Sequence, residues 1–141
     1  MKKKGVTLSA LLVYVVLFYL FTMTATMISS NINNKIFKDR AKVYNYKNSE
    51  KTMAYLIEST RNSSSVDVIS NKLVFANNDE YKIVNNTVYK NDKVILRDVE
   101  KFEYSTADIS KYKQQVSINI VFKKYTQKLE KNFNFVVGGN S

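Results

Sequence analysis

The 141-residue chain contains no cysteine and no histidine. Without cysteine, an exported domain of this size must be held together by its core and its helix rather than by disulfides. The two absences together exclude thiol nucleophiles, Cys/His zinc sites and imidazole acid–base chemistry, the common routes to catalysis in a small domain. We therefore predict no catalytic residue, no metal site and no cofactor, and we do not expect an enzyme.

The chain also lacks charge over a long stretch near its start. No charged residue lies between Lys4 and Lys35, and residues 6–28 are mostly apolar. A helix of about 20 apolar residues crosses the hydrocarbon core of a bilayer, so this stretch is long enough to span a membrane. Lysines precede it and its other flank is uncharged, which predicts a cytoplasmic N-terminus. The chain is predicted to be a single-pass protein of the cytoplasmic membrane with an extracytoplasmic C-terminal domain.

Two simpler interpretations of the same segment stay open. A secretory signal peptide has a basic start, an apolar core of about 7–15 residues and a small-residue cleavage site. Residues 11–21 and 24–26 provide such a core and a Thr-Ala-Thr cleavage region. A plain signal anchor needs no motif at all. Either alternative would deliver an extracellular domain without a role in a filament.

The apolar stretch opens with Lys-Gly-Val-Thr-Leu at residues 4–8. This segment resembles the prepilin-peptidase site of type IV pilins and pseudopilins. The resemblance implies cleavage of a leader at residues 1–5 between Gly5 and Val6, methylation of Val6, and an apolar helix that becomes the packed core of a filament. The family usually has Phe and Glu at the first and fifth mature positions, where this chain has Val6 and Ala10.

The helix is expected to continue beyond the apolar stretch. Residues 29–31 contain neither proline nor glycine, and the following apolar positions keep helical spacing. We predict an amphipathic second half at residues 29–62, ended by the asparagine and serines at residues 62–65. One stripe of this half is mostly apolar and is expected to cover a sheet. It consists of Ile32, Ile36, Asp39, Val43, Tyr46, Glu50, Met53 and Ile57.

From residue 63 onward the apolar period changes to two, which predicts a globular antiparallel β-domain at residues 63–141. Residues 85–86 and 91–92 are predicted to form turns. Asparagine and aspartate take these positions, which glycine often occupies in other proteins. Residues 105–113 lack a clean period and are predicted to form a connecting loop. The strongest strand pair is predicted at residues 116–122 and 129–137, with the alternating Val116, Ile118, Ile120 and Phe122 on the inward face of the first strand. Residues 138–141 are predicted to form a frayed end.

One long helix followed by an antiparallel meander is an α+β fold with helix and sheet segregated. This is also the order of elements in pilins. The strand tract is similar to that of minor pilins and competence pseudopilins of Gram-positive bacteria, and together with the N-terminus the resemblance covers residues 6–104. Its β segments are residues 73–75, 81–83, 86–91, 94–96 and 99–102.

The resemblance implies a minor pilin or pseudopilin that helps initiate or cap a type IV pilus, a competence pilus or a type II-like secretion filament. Its implied partners are other pilin or pseudopilin subunits, the prepilin peptidase and the membrane-embedded assembly platform, and its implied final location is the cell surface. The alternative from another class is a signal-anchored or secreted extracellular domain that binds DNA or a cell-wall polymer.

The net charge of the chain does not distinguish a filament subunit from an extracellular binding domain. The net charge is +10, and loss of the three leader lysines would leave about +7. Scattered lysines are interpreted as compositional rather than as a nucleic-acid surface, because aromatic and basic neighbours in a strand, such as Tyr89 and Lys90, face opposite sides. The aspartates lack calcium-loop spacing and are interpreted as solvated turn residues. They are Asp67, Asp79, Asp92 and Asp108.

Overall fold

The computed structural model describes residues 3–138, with side chains from residue 7 onward. Helix α1 spans Lys3–Arg61 and eight strands follow it in the described chain. They are β1 Val66–Ile69, β2 Lys72–Phe75, β3 Glu80–Val84, β4 Thr87–Lys90, β5 Lys93–Leu96, β6 Val99–Ser110, β7 Lys113–Lys124 and β8 Gln127–Gly138. The predicted α+β class, one long N-terminal helix and antiparallel strands, is confirmed. By its contacts the chain divides into two compact units, Met1–Asp39 and Arg40–Ser141.

The strands of the second unit form two antiparallel sheets rather than one. β1 to β5 form the first sheet and β6 to β8 the second, each in chain order. The predicted turns are confirmed: Asn85 and Asn86 have φ of 48° and 59°, and Asn91 and Asp92 have φ of 50° and 63°. These side chains tolerate the left-handed region better than other non-glycine residues, which is why so few glycines suffice.

The predicted loop at residues 105–113 is wrong. β6 continues to Ser110 and pairs with β7, with Thr106 opposite Val116 and Ala107 opposite Gln115. Residues 105–110 are all exposed, and for this reason their sequence lacks the alternation of apolar and polar residues that a half-buried strand shows. Pairing with β7 alone keeps them extended.

The predicted frayed end is wrong at its first residue. Gly138 pairs with Lys113 as the last residue of β8. Residues 139–141, the rest of that prediction, lie outside the described residues.

A single apolar core joins both sheets and the helix. Leu56 of α1, Tyr81 and Val88 of the first sheet, and Ile120 and Phe122 of the second are all at most 1% exposed. The inward face predicted for β7 is therefore confirmed.

Helix α1 packs on the sheets with a different face from the one predicted. Its buried positions recur every three or four residues and are mostly small or polar. They are Ala41, Asn45, Ser49, Thr52, Leu56 and Ser59. Val43, Tyr46 and Met53, which were expected to cover a sheet, are 53%, 54% and 46% exposed, and Ile32 and Ile36 are exposed as well. Apart from Leu56, the side chains that take their places are small or polar, and two of them, Asn45 and Ser59, hydrogen-bond to the sheet strands or the segments that join them.

Candidate assembly surface

The first unit exposes apolar side chains along its apolar stretch. Leu8, Phe18 and Phe21 are 71%, 70% and 71% exposed, and the other large side chains up to Ile28 are similarly open. Helix α1 includes an 18-residue window with a mean hydropathy of 2.2 and is long and apolar enough to cross a membrane. That statement rests on length and composition, which a signal sequence near an N-terminus also satisfies.

Threonines within this apolar stretch are compatible with a lipid environment. The hydroxyls of Thr22, Thr24 and Thr26 donate to backbone carbonyls three residues earlier, over 2.9, 2.9 and 2.8 Å. A hydroxyl without a partner would be costly in hydrocarbon, and these contacts supply the partner inside the helix itself. The polar atoms of these side chains therefore do not require water.

The residues implied as the processing site lie at the start of the helix. Gly5 and Val6 belong to the backbone of α1, and their side chains lie outside the described ones. Ala10 follows Val6 by about one turn and is exposed. Its methyl group offers neither a charge nor a hydrogen-bond acceptor, so a cationic group beside this position would find no partner in the Ala10 side chain.

The second unit has its own exposed apolar surface on α1. Val43, Tyr46, Glu50 and Met53, here called the outward stripe, recur at intervals of three and four residues and are all exposed. At 100° per residue these positions centre about 130° around the helix from the buried ones. A stripe with this spacing is the pattern through which one helix packs against another. Its single acidic member, Glu50, would favour a basic residue on the facing helix.

A buried polar network fixes the helix against the first sheet. The Ser59 hydroxyl donates to Asp79 Oδ2 over 2.6 Å and lies 2.7 Å from the Tyr81 hydroxyl. Lys90 Nζ lies 3.0 Å from the same carboxylate oxygen, and both ionic side chains are about 15% exposed. The interpretation of Asp79 as a solvated turn residue is therefore wrong.

The ionisation of the network follows from its contacts. Burial by itself would raise the pKa of Asp79, but hydrogen bonds from Ser59, Lys90 and Asn77 outweigh burial and hold that pKa below its ordinary value. Burial raises the pKa of Tyr81, so this phenol stays neutral and can donate to the Tyr55 carbonyl oxygen at 3.0 Å. The helix face is thus held by one carboxylate, one ammonium group and two hydroxyls.

A second polar contact holds the helix near the start of the second unit. The Tyr44 hydroxyl donates to Asp98 Oδ2 over 2.9 Å, and Lys124 Nζ lies 2.8 Å from the same oxygen. Lys124 also lies 4.8 Å from the centre of the Tyr44 ring, within the range of a cation–π contact. Burial opposes the charge of Asp98, but Lys124 and Tyr44 hold its pKa below the ordinary value. Both contacts fix the buried face of the helix to the sheets and leave the outward stripe exposed, with the Tyr46 ring 5.8 Å from Lys131 Nζ of β8.

Sequence reasoning missed which side of α1 faces the sheets. The assumption that apolar side chains turn inward assigned Val43, Tyr46 and Met53 to the core. The sequence feature that could have identified the correct side is a second stripe, in which Ala, Asn, Ser and Thr recur at helical spacing and Leu56 and Ser59 continue the series. Small side chains at such spacing admit a close neighbour, and the neighbour here is the protein's own sheet.

Comparison with known proteins finds no matching family model, no matching curated protein and no matching solved structure. The pilin resemblance of the N-terminus and of the strand tract therefore stays a hypothesis that rests on the residues themselves.

Proposed function

We propose that the chain is a minor pilin or pseudopilin, a membrane-inserted subunit that helps initiate or cap a type IV pilus, a competence pilus or a type II-like secretion filament. The observation that carries the proposal is the apolar surface left open on α1, at residues 8–28 of the first unit and along the outward stripe of the second. Exposed apolar surface of this kind marks contacts with lipid or with other proteins. A subunit that moves from a membrane into a filament needs both.

The proposed mechanism is extraction and packing without catalysis. In the membrane, residues 8–27 contact lipid. A motor of the assembly platform draws the subunit outward, and the same side chains then contact the apolar helices of other subunits. Lipid and helix surfaces are similarly apolar, so the gain comes from close packing rather than from escape from water. The outward stripe would extend that packing beyond the bilayer.

Ala10 supports a place at the start or the tip of the filament. In pilins a glutamate at this position is thought to pair with the N-terminal amine of the subunit ahead, inside a helix bundle of low dielectric where an unpaired charge is costly. A subunit with alanine cannot provide this pairing. The penalty is smallest where no subunit lies ahead, as at a tip or in an initiating complex.

Placement in the filament tests this proposal. Labelled protein is expected at filament ends in low copy, and its deletion should reduce the number of filaments more than their length. Ala10→Glu should shift labelled protein into the shaft. Ser9→Glu, which adds the same charge at the neighbouring position, should not. Recovery along the whole shaft at the abundance of a major subunit would refute the proposal.

The competing proposal is a signal-anchored or secreted extracellular domain that binds DNA or a cell-wall polymer. The apolar stretch at residues 8–28 serves this alternative equally well. It predicts no filament phenotype on deletion and no dependence on a prepilin peptidase. Filament counts in parent and deletion strains, and the N-terminus of this protein in peptidase-positive and peptidase-negative cells, separate the two.

A further inference from the structure

The second unit contains a polar cavity of about 930 Å³. It lies where α1 ends, beside the turn between β6 and β7 and the end of β8. Three of the side chains that line it are cationic: Arg61, Lys111 and Lys113. The serines at residues 63–65 and the amides of Asn62 and Gln114 also face this space, so most of the lining can donate hydrogen bonds.

One acidic residue, Asp108, lines the cavity beside its three cationic side chains. Asp108 Oδ1 accepts a hydrogen bond of 3.1 Å from Gln114, whose own carbonyl oxygen accepts the Val66 amide at 2.9 Å. Among residues 7–138, whose side chains the structure describes, Arg61, Lys111 and Lys113 form no ion pair within 4 Å, and this sets them apart from paired lysines such as Lys90 and Lys124 but not from Lys47 or Lys93. The described lining therefore has three cationic side chains against one carboxylate, which leaves an excess of positive charge.

The base of the cavity is closely packed backbone. Gly138 has φ of +90°, and a Cβ added there would lie 2.3 Å from the Tyr112 carbonyl oxygen and 2.9 Å from that of Ser64. The end of β8, the β6–β7 turn and the loop after α1 are thus in direct contact, which only glycine permits at this position. The three cations are consequently presented from segments whose backbones are held together.

We propose that this cavity binds phosphodiester groups of a polyol-phosphate chain. Arginine and lysine side chains recognise phosphate oxygens through charge-assisted hydrogen bonds, and the serine and amide groups match the hydroxyls of a polyol. Sites of roughly 300–1,000 Å³ accommodate ligands of several linked units.

The lining favours a polyol phosphate over single-stranded nucleic acid. Proteins that bind single strands stack successive bases on several aromatic side chains. Tyr112 is the aromatic residue among the described lining side chains, and Lys111 Nζ already lies 5.6 Å from its ring centre. This ligand site goes beyond the proposed assembly role and does not depend on it.

Fluorescence anisotropy tests the proposal on the full chain in nonionic detergent, with a labelled glycerol-phosphate oligomer as the probe. The double variant Arg61→Gln, Lys113→Gln should bind about tenfold more weakly or worse, because both charge-assisted contacts are lost. The matched control Lys47→Gln, Lys93→Gln removes two exposed lysines that do not line the cavity and should bind within about twofold of the parent. The thermal midpoints of all three proteins should agree, since the exchanged side chains are exposed.

Two further arms identify the ligand. A neutral oligoglycerol should not compete, and an oligothymidylate of equal charge should compete less well than unlabelled glycerol phosphate. Equal weakening by the control pair would show diffuse attraction by net charge and overturn the proposal. Tighter binding of the oligothymidylate, lost in Tyr112→Ala, would overturn it in favour of nucleic acid, and absence of binding at low salt would overturn it outright.

Discussion

Asn45 and Tyr46 are neighbours in α1 but differ in exposure: Asn45 is 1% exposed and donates to the Gln127 carbonyl oxygen over 3.0 Å, whereas Tyr46 is 54% exposed and its ring centre lies 5.8 Å from Lys131 Nζ. A polar amide is thus buried against the sheets while an aromatic ring is left outside. Only the nitrogen of this amide is hydrogen-bonded; Asn45 Oδ1 is buried without a partner among the described residues. Burial of the amide is therefore costly, and exposing the ring forfeits its apolar burial. Under the proposed function, another subunit would cover this exposed apolar stripe.

The two sides of α1 should respond oppositely to substitution. Tyr46→Ser with Met53→Ser should change the free energy of unfolding by less than about 1 kcal/mol, because both side chains are half exposed. Leu56→Ala should cost about 2–5 kcal/mol by opening a cavity in the core. Denaturant titration of the full chain in detergent measures both. Incorporation into filaments should show the reverse order at matched protein levels, with the outward pair impaired more than Leu56→Ala.

Removal of the Ser59 hydroxyl should weaken the attachment of α1 to the first sheet. Ser59→Ala removes the hydroxyl that donates to Asp79 in a buried site, at an expected cost of about 1–3 kcal/mol. Ser105→Ala, on the exposed part of β6, should stay within about 0.5 kcal/mol of the parent. An equal and small effect of both substitutions in the same denaturant titration would contradict the role given to the network.

The depressed pKa values of Asp79 and Asp98 predict acid sensitivity. Each carboxylate is stabilised in the folded state, so its contribution is present above the unfolded pKa of about 4 and is lost as the pH falls through the lower folded pKa. The free energy of unfolding should therefore decrease below about pH 4. Asp79→Asn should be less stable at pH 7 and should lose less stability on acidification. A parallel loss in parent and variant would contradict this assignment.

Gly138→Ala should destabilise the second unit by about 1–3 kcal/mol, since the new methyl group meets backbone atoms and φ lies in the left-handed region. Val136→Ala, at an exposed position of the same strand, provides the control and should cost about 0.5 kcal/mol or less. Thermal unfolding followed by circular dichroism measures both variants. A Gly138→Ala protein as stable as the parent would mean that the three backbones at the base of the cavity are not held in contact.

The sequence predicted correctly those parts of the fold whose conformation is determined by residues close to each other in the chain. The helix ends at Arg61, where asparagine and serine compete for the backbone, and paired asparagine and aspartate residues turn the hairpins. The alternating apolar residues of β7 predicted its inward face because that strand is buried on one side only. These features depend on steric and hydrogen-bonding preferences within a few residues.

The remaining features depend on contacts distant in sequence. The outer half of β6 is held by β7 alone and carries no pattern of its own. Arg61 and Lys113 line the same cavity but are more than fifty residues apart in sequence. No local motif therefore predicts the cavity. The prediction assigned the wrong face of α1 to the sheets, because an apolar stripe predicts that it is buried but does not identify the surface that covers it. The protein's own sheets contact a different face of the helix.

The N-terminal residue of the mature protein tests the proposed assembly role most directly. Mass spectrometry of protein recovered from membranes of cells that contain a prepilin peptidase should give a chain that begins at Val6 and carries one added methyl group. Gly5→Leu should retain the leader and remain in the membrane. A parent protein that begins at Met1, or that begins near Thr26 and has lost its apolar helix, would contradict the account.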